Sequence, residues 1–294
     1  MKSGVDYPLV SIYITTKNRP LLLKRALESL LKQTYKNIEV LVFNDGSDII
    51  YIESYAKIIN EFEESDLYIK YYNNLDSIGA CAARNYMISR ATGKYVTGLD
   101  DDDFFFPKRI ELFVNATMDN DYAFLCANGA SDCNNSSLTE GGFVINFNDM
   151  KNYNCVGNQI FIEKIKLMSV GGFDEHMPAW QDYDTWFRIL KKYNKAYKLK
   201  ARTMFVDTNT ERVRISTTSK AHQGYLKFIE KHKPLLNEDN LLSLKYNDLI
   251  NRKEHFSIID PYLLKKPKLW LRIFIQRSVY YYPFLYKAYR LLIK

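Results

Sequence analysis

Four consecutive carboxylates, Asp100 to Asp103, follow a short β-type run, Tyr95 to Leu99, and precede Phe104, Phe105, Phe106 and Pro107. Adjacent carboxylates repel one another, and the apolar residues on either side would desolvate them. Both effects make ionisation costly unless a cation sits among them. Hard divalent ions such as Mg²⁺ or Mn²⁺ answer that need, since they take oxygen ligands and are usually held by one or two carboxylates plus the phosphates of a substrate. The plainer alternative is a solvated acidic turn, the usual fate of a charge run. What precedes the run in the chain decides between them.

Leu9 to Thr15 is short, apolar and β-branched, which predicts a buried strand; it ends at Thr16-Lys17-Asn18-Arg19-Pro20. Pro20 suits a first helical turn, and Leu23, Leu27, Leu30 and Leu31 then recur at helical spacing up to Gln33. A second strand, Ile38 to Phe43, stops at Asn44-Asp45-Gly46-Ser47-Asp48, where Ser47 or Asp48 could cap a helix over about Tyr51 to Phe62. A third strand, Leu67 to Tyr72, ends at Asn73-Asn74, and Gly79 opens a helix from Ala80 to Arg90 that Gly93 closes. This βαβαβαβ order predicts an α/β protein with a mostly parallel, Rossmann-like sheet flanked by helices. All four strands end in polar residues, and open α/β sheets bind ligands at the carboxyl ends of their strands. No G-x-G-x-x-G or G-x-x-x-x-G-K-[ST] run occurs, which disfavours a dinucleotide dehydrogenase or a P-loop enzyme.

Further on, Pro107 to Met118 reads as a helix, Tyr122 to Cys126 as a strand and Asn128 to Gly142 as a polar loop. Asp182 to Lys192 reads as an amphipathic helix with Tyr183, Trp186, Phe187 and Leu190 facing the core. Two polar helices follow within residues 219–256.

Val10-Ser-Ile-Tyr-Ile-Thr-Thr-Lys-Asn-Arg19, Asn44-Asp-Gly-Ser47, Ala83-Arg84-Asn85 and Leu99 to Asp103 with Pro107 occur in an order that resembles the inverting family 2 glycosyltransferases of GT-A fold. Val170-Gly-Gly-Phe-Asp-Glu175 and Gln181-Asp-Tyr-Asp-Thr-Trp-Phe-Arg188 extend the resemblance over about residues 8–215. Among subgroups it is most similar to bacterial enzymes that build O-antigen repeat units on a lipid diphosphate. The resemblance implies a nucleotide-sugar donor, with Thr15, Arg19 and Asp45 toward base and ribose and Arg84 near the diphosphate. It makes Asp102 the direct ligand of Mn²⁺ or Mg²⁺, with Asp100 a second candidate. Asp100 and Asp101 would lie toward ribose and sugar, and Asp103 toward donor sugar or acceptor. Asp182 matches the family's catalytic base, with Asp184 the alternative. Asn44 and Gln181 depart from residues common among relatives; Asn44 is therefore given no essential role, and Gln181 leaves open what orients Asp182. Gly171-Gly172 gives a backbone turn that could serve packing or approach to the acceptor.

The resemblance further implies transfer of a hexose from a UDP-sugar, glucose first and galactose next. The acceptor would be a GlcNAc- or GalNAc-diphosphate-polyprenol, with β1,3 the favoured linkage, in O-antigen or lipopolysaccharide assembly. Alternatives are a capsule or other surface polysaccharide, or a catalytically inactive GT-A carbohydrate-binding or scaffold protein. A phosphotransferase is disfavoured because such enzymes carry their aspartates after the first strand, where this chain has Thr15-Thr16. The expected organisation is a GT-A domain over 1–218, a helical extension over 219–260 and a tail over 261–294. The GT-A domain divides into a nucleotide-binding half, about 8–107, and an acceptor half, about 108–218.

The formal charge is +7, yet the tail alone carries eight Lys/Arg and no Asp/Glu, leaving residues 1–260 near neutrality. In the tail these cations alternate with Trp270, Phe274, Tyr280 to Tyr282, Phe284, Tyr286 and Tyr289, a pattern suited to a helix lying on anionic lipid or, alternatively, to a C-terminal helix packed on the domain by its aromatic face. A near-neutral body argues against nucleic acid as partner. The first residues carry no apolar core of signal-peptide length, and no run approaches the ~20 apolar residues needed to span a bilayer. The expectation is a cytoplasmic protein peripheral to the inner face of the bacterial cytoplasmic membrane. Cys81, Cys126, Cys133 and Cys155 lack metal or disulfide spacing and read as free thiols.

Overall fold

A computed structural model describes residues 7–117, 121–132, 136–207 and 219–252, with residues 254, 265, 267, 270, 271 and 273–275. Two compact units emerge, one within Met1–Met150, Asn154–His176 and Gln181–Thr210, the other within Lys151–Tyr153, Met177–Trp180 and Glu211–Lys294.

The first unit begins with β1 (Val10–Thr16), α1 (Pro20–Leu31), β2 (Ile38–Asp45), α2 (Ile49–Glu63), β3 (Tyr68–Asn74), α3 (Ala80–Arg90) and β4 (Tyr95–Gly98). These are the predicted elements, with boundaries moved by two residues or fewer. The four strands pair in parallel in the order β3-β2-β1-β4. Helical crossovers enforce this arrangement, and strands buried on both faces can be apolar along most of their length. Val10, Ile12, Ile14, Val40 and Val42 are wholly buried and pack in one core with Leu23, Leu27 and Leu30 of α1. The register pairs Thr16 with Asn44 and Asn44 with Asn73, so the polar strand ends form one edge.

The chain then adds β5 (Phe104–Phe105), α4 (Arg109–Ala116), β6 (Leu125–Ala130), β7 (Gly142–Asn146), α5 (Phe147–Met150), β8 (Phe161–Glu163), α6 (Lys164–Met168), α7 (Gln181–Tyr193) and β9 (Lys195–Phe205). Beyond β4 the sheet continues β8-β6-β9-β5, with β7 also paired to β9, and β8 enters antiparallel to β4. The strand expected at Tyr122 to Cys126 lies instead at Leu125–Ala130 and takes in Asn128 and Gly129, which loop composition had assigned elsewhere. Its register against β9 shifts on both sides of Asn128, and such irregular pairing accommodates residues that a regular ladder disfavours.

At the opposite, amino-terminal end of the sheet, Glu39 is fully buried and engaged on every side. It accepts from Ser11 Oγ (2.6 Å), Lys70 Nζ (2.8 Å), Thr92 N (2.5 Å) and Gly93 N (3.2 Å). Burial alone would raise its pKa, but the hydrogen bonds from Lys70, Ser11 and Thr92 outweigh it and hold the carboxyl at about 2.

The second unit contains α8 (Ser219–His232) and α9 (Glu238–Asn251), which pack on each other; Asn237 and Asn240 form a reciprocal capping box on α9. Within the basic tail, Ile273 is buried against Tyr246, and Trp270, Leu242 and Leu249 pack around the pair. Most of the tail predicted to lie on lipid falls outside the described residues, as does Cys133. Cys81, Cys126 and Cys155 are free. Among the described residues no helix is long and apolar enough to cross a membrane.

Candidate active site

The carboxylate run leaves β4 at the polar edge, and the arginines that meet it come from α1 and α3 and the loop before α1. Arg19 reaches Asp101 at 3.0 Å and Asp102 at 3.3 Å. Arg25, on α1, donates to the backbone carbonyl of Asp102 and lies 3.4 Å from the Asp207 carboxylate. Arg84, on α3, pairs with Asp100 at 3.0 Å and with Asp182 at 3.2 Å. Its guanidinium lies 5.2 Å from the Phe173 ring centroid and is largely buried. One cation thus joins the carboxylate run to the first turn of α7. This also answers what orients Asp182, which the departure at Gln181 had left open.

Both oxygens of Asp101 are used, one by Arg19 and one by the Thr16 hydroxyl at 2.8 Å. Thr16 in turn lies 3.0 Å from the Tyr55 hydroxyl. Side chains alternate faces along a strand, so Thr16 and not its neighbour Thr15 is the threonine turned toward the acidic run. Thr15 sits half-buried opposite Phe43. Asp45 closes the loop before α3, accepting from Ser77 Oγ (2.8 Å), Ile78 N (2.7 Å) and Gly79 N (3.1 Å). Asn44 is wholly buried and donates to Asn73 at 2.8 Å, tying two strand ends together.

Burial sets the electrostatics. It pushes Asp101 up to about 7 against the opposing pull of Arg19. Asp103 is also raised, by burial and then by the charge of Asp100. Burial lifts Asp182 to about 6, with Arg84 pulling it down and Asp100 pushing it up. Burial alone would lower Arg84, but Asp182 and Asp100 outweigh it and secure its charge. Asp184, the other candidate base, has no exposed surface and is held by Arg188 Nε at 2.8 Å. Arg188 also donates to the carbonyls of Val170 and Gly172, which fixes α7 to the Gly171-Gly172 turn. That turn is clasped by Asn85, whose amide exchanges hydrogen bonds with the Phe173 backbone (2.8 and 2.9 Å). Gly172 has φ +65°, and a Cβ there would come within 2.5 Å of Asn85 Oδ1, so close approach requires glycine.

The family model for glycosyl transferase family 2 matches residues 11–176. The chain is 32% identical over 235 residues to WcaA of Escherichia coli (strain K12), a protein named for glycosyl transfer in colanic acid biosynthesis, covering 77% of this chain and 82% of that one. The chain belongs to glycosyl transferase family 2. Several solved structures share its fold. Staphylococcus aureus TarS 1–349 superposes with TM-score 0.63 at 14% identity, over 92% of this chain and 80% of that one. The Pyrobaculum calidifontis mannosyltransferase PcManGT, in complex with GDP-Man and Mn²⁺, gives TM-score 0.59 at 16% identity, over 95% and 88%. TarS structures also exist with UDP and with UDP-GlcNAc (TM-scores 0.57 and 0.56).

For this glycosyltransferase the donor set suits a hard divalent ion, being made of carboxylate oxygens. Among the described residues no three His, Cys, Asp or Glu side chains converge to hold an ion by themselves. Sequence reasoning missed Thr16, Arg25, Asn158 and Asp207. The strand alternation next to Thr15 was a usable signal for Thr16; the other three reach the carboxylates only through tertiary folding.

Proposed function

We propose that this glycosyltransferase is inverting and metal-dependent, and moves a hexose from a UDP-sugar to a polyprenol-diphosphate-linked GlcNAc or GalNAc. UDP-glucose is the favoured donor, UDP-galactose the next, and β1,3 the favoured linkage. The product belongs to a bacterial surface polysaccharide. The name of WcaA and the UDP and UDP-GlcNAc complexes of TarS support the polysaccharide and the nucleotide.

The observation that carries the mechanism is Arg84, which binds a donor-side carboxylate and the Asp182 carboxylate at 3.0 and 3.2 Å. An acceptor hydroxyl is a poor nucleophile until a positioned base takes its proton. Asp182 is raised toward neutrality by burial yet kept ionisable by Arg84, the balance a general base needs. With Asp184 locked to Arg188, Asp182 takes the base role. Attack from the face opposite the leaving group then inverts the anomeric carbon in one displacement. Asp102, with Asp100 as second candidate, would hold a divalent ion that stabilises charge developing on the departing diphosphate. The basic residues of 261–294 would draw the enzyme to anionic lipid, where its acceptor resides.

A panel of sugar nucleotides against GlcNAc- and GalNAc-diphosphate lipids, read by product mass and linkage analysis, tests this. Hexose transfer is expected with Mn²⁺ and is lost in a folded Asp102→Ala variant. Full turnover in excess chelator would remove the metal from the mechanism. Absence of nucleoside diphosphate release with every donor would favour a carbohydrate-binding scaffold.

A further inference from the structure

Asn158, half-buried in the loop before β8, donates through one amide nitrogen to Asp100 Oδ2 (3.2 Å) and Asp103 Oδ2 (3.2 Å). Both neighbours are acceptors, so it is the NH₂ that faces them, and its two hydrogens serve two carboxylates. The other oxygens of the same pair are also engaged. Asp100 Oδ1 accepts from Arg84 at 3.0 Å, and Asp103 Oδ1 accepts from the Asp207 N–H at 2.9 Å. Asn158 is thus a neutral cross-brace between two carboxyl groups, taking the oxygen of Asp100 that Arg84 does not.

The brace is itself rooted. The Asn154 side chain closes the preceding turn, accepting from Val156 N (3.1 Å) and Gly157 N (3.2 Å) and donating to Gly157 O (3.1 Å). Gly157 has φ +110°, a backbone state other residues rarely adopt. Its carbonyl also accepts from Trp186 Nε1 at 3.0 Å, and Trp186 is wholly buried on α7 four residues after Asp182. The amide that orients the carboxylates is therefore built on the helix that carries the base.

We propose that Asn158 is a positioning residue for donor and metal binding: its amide fixes Asp100 and Asp103 in the separation and orientation that a nucleotide diphosphate and its ion meet. The proposal rests on the reading that the carboxylate run binds the donor. It places Asn158 on donor affinity and leaves proton removal by Asp182 largely untouched.

The test compares wild type, Asn158→Ala, Asn158→Asp and Asp102→Ala. Binding of UDP with Mn²⁺ is followed by calorimetry and by the Mn²⁺ electron paramagnetic resonance signal, beside KM and kcat for the donor. Removing a hydrogen-bond partner of a metal-site ligand typically costs ~10–100-fold in affinity, and Asn158→Ala is expected to lose UDP–Mn²⁺ affinity and raise donor KM by that factor. Its kcat should change far less. Asn158→Asp, which replaces the donor by a further carboxylate, should weaken UDP–Mn²⁺ binding at least as much. If Asn158→Ala does not fold, Asn158→Asp carries the comparison, melting temperature being checked for each. UDP–Mn²⁺ affinity within about twofold of wild type, or a loss confined to kcat, would overturn the proposal while Asp102→Ala still loses affinity. If Asp102→Ala also binds normally, the donor-site reading itself fails.

Discussion

The same sheet buries carboxylates at both ends and treats them in opposite ways. At the amino ends of the strands, Glu39 has donors on both oxygens, one of them a lysine, and its pKa falls to about 2. At the carboxyl ends, Asp101 and, from the first turn of α7, the half-buried Asp182 each meet an arginine, yet desolvation wins and they rise to about 7 and 6. The cations there are shared, Arg19 between two aspartates and Arg84 between two more. A carboxylate with its own partners is a structural tie. Carboxylates crowded around too few cations remain responsive to a further one, and perturbation of this sort marks functional sites.

The largest expected effect separates the two ends by activity. Asp182→Asn should lower kcat on the order of 10²–10⁴-fold, the usual cost of losing a general base, with donor KM nearly unchanged. Steady-state kinetics on the purified variant would show this, and a near-normal kcat would break the contrast. Asp184→Asn should act on the fold instead. It strips Arg188 of a fully buried partner, and breaking such a pair costs about 3–5 kcal/mol in denaturant unfolding.

Glu39→Gln should lose somewhat less, about 2–3 kcal/mol, because Lys70 is partly exposed and can recover solvent. Activity per folded molecule should be retained. The acid side sharpens the contrast further. Glu39 has a depressed folded pKa, so its stabilisation is complete above its ordinary 4.5 and is lost as pH falls through about 2. Asp182 has the opposite sign: raised from 3.8, it favours the fold most below that value and loses this contribution as pH rises through about 6. Urea melts of wild type and Glu39→Gln should converge as pH falls from 4.5 to about 2 and acid neutralises Glu39.

How much of this was legible in the sequence follows from the range of each interaction. The first four strands and their helices could be read because apolar runs, glycines and Pro20 act within a few residues. Ala80–Arg90 matched its predicted helix to the residue. The inward set Tyr183, Trp186, Phe187 and Leu190 was equally clear from helical spacing, and all four are buried. β9 was invisible, since Lys195, Lys198, Lys200 and Arg202 interrupt it and mask a strand whose Ala196, Leu199, Ala201, Thr203 and Met204 are buried. Asp207 meets Asp103 across 104 residues and Asn158 meets Asp100 across 58, separations that no local pattern encodes. Arg84 was assigned to the diphosphate by resemblance alone; that the same side chain also holds Asp182 required the packing of α3 against the Gly171-Gly172 turn.

The most direct measurement of the contrast is the pH dependence of single-turnover transfer, wild type beside Asp182→Asn, with donor and metal saturating. If Asp182, held near 6 by burial against Arg84, removes the acceptor proton, the wild-type rate should climb about tenfold per pH unit below that value and level above it. The Asp182→Asn variant should be slow throughout and lack this limb. A wild-type rate that is flat from about pH 5 to 8, or the same limb persisting in Asp182→Asn, would contradict the assignment of Asp182 as the base.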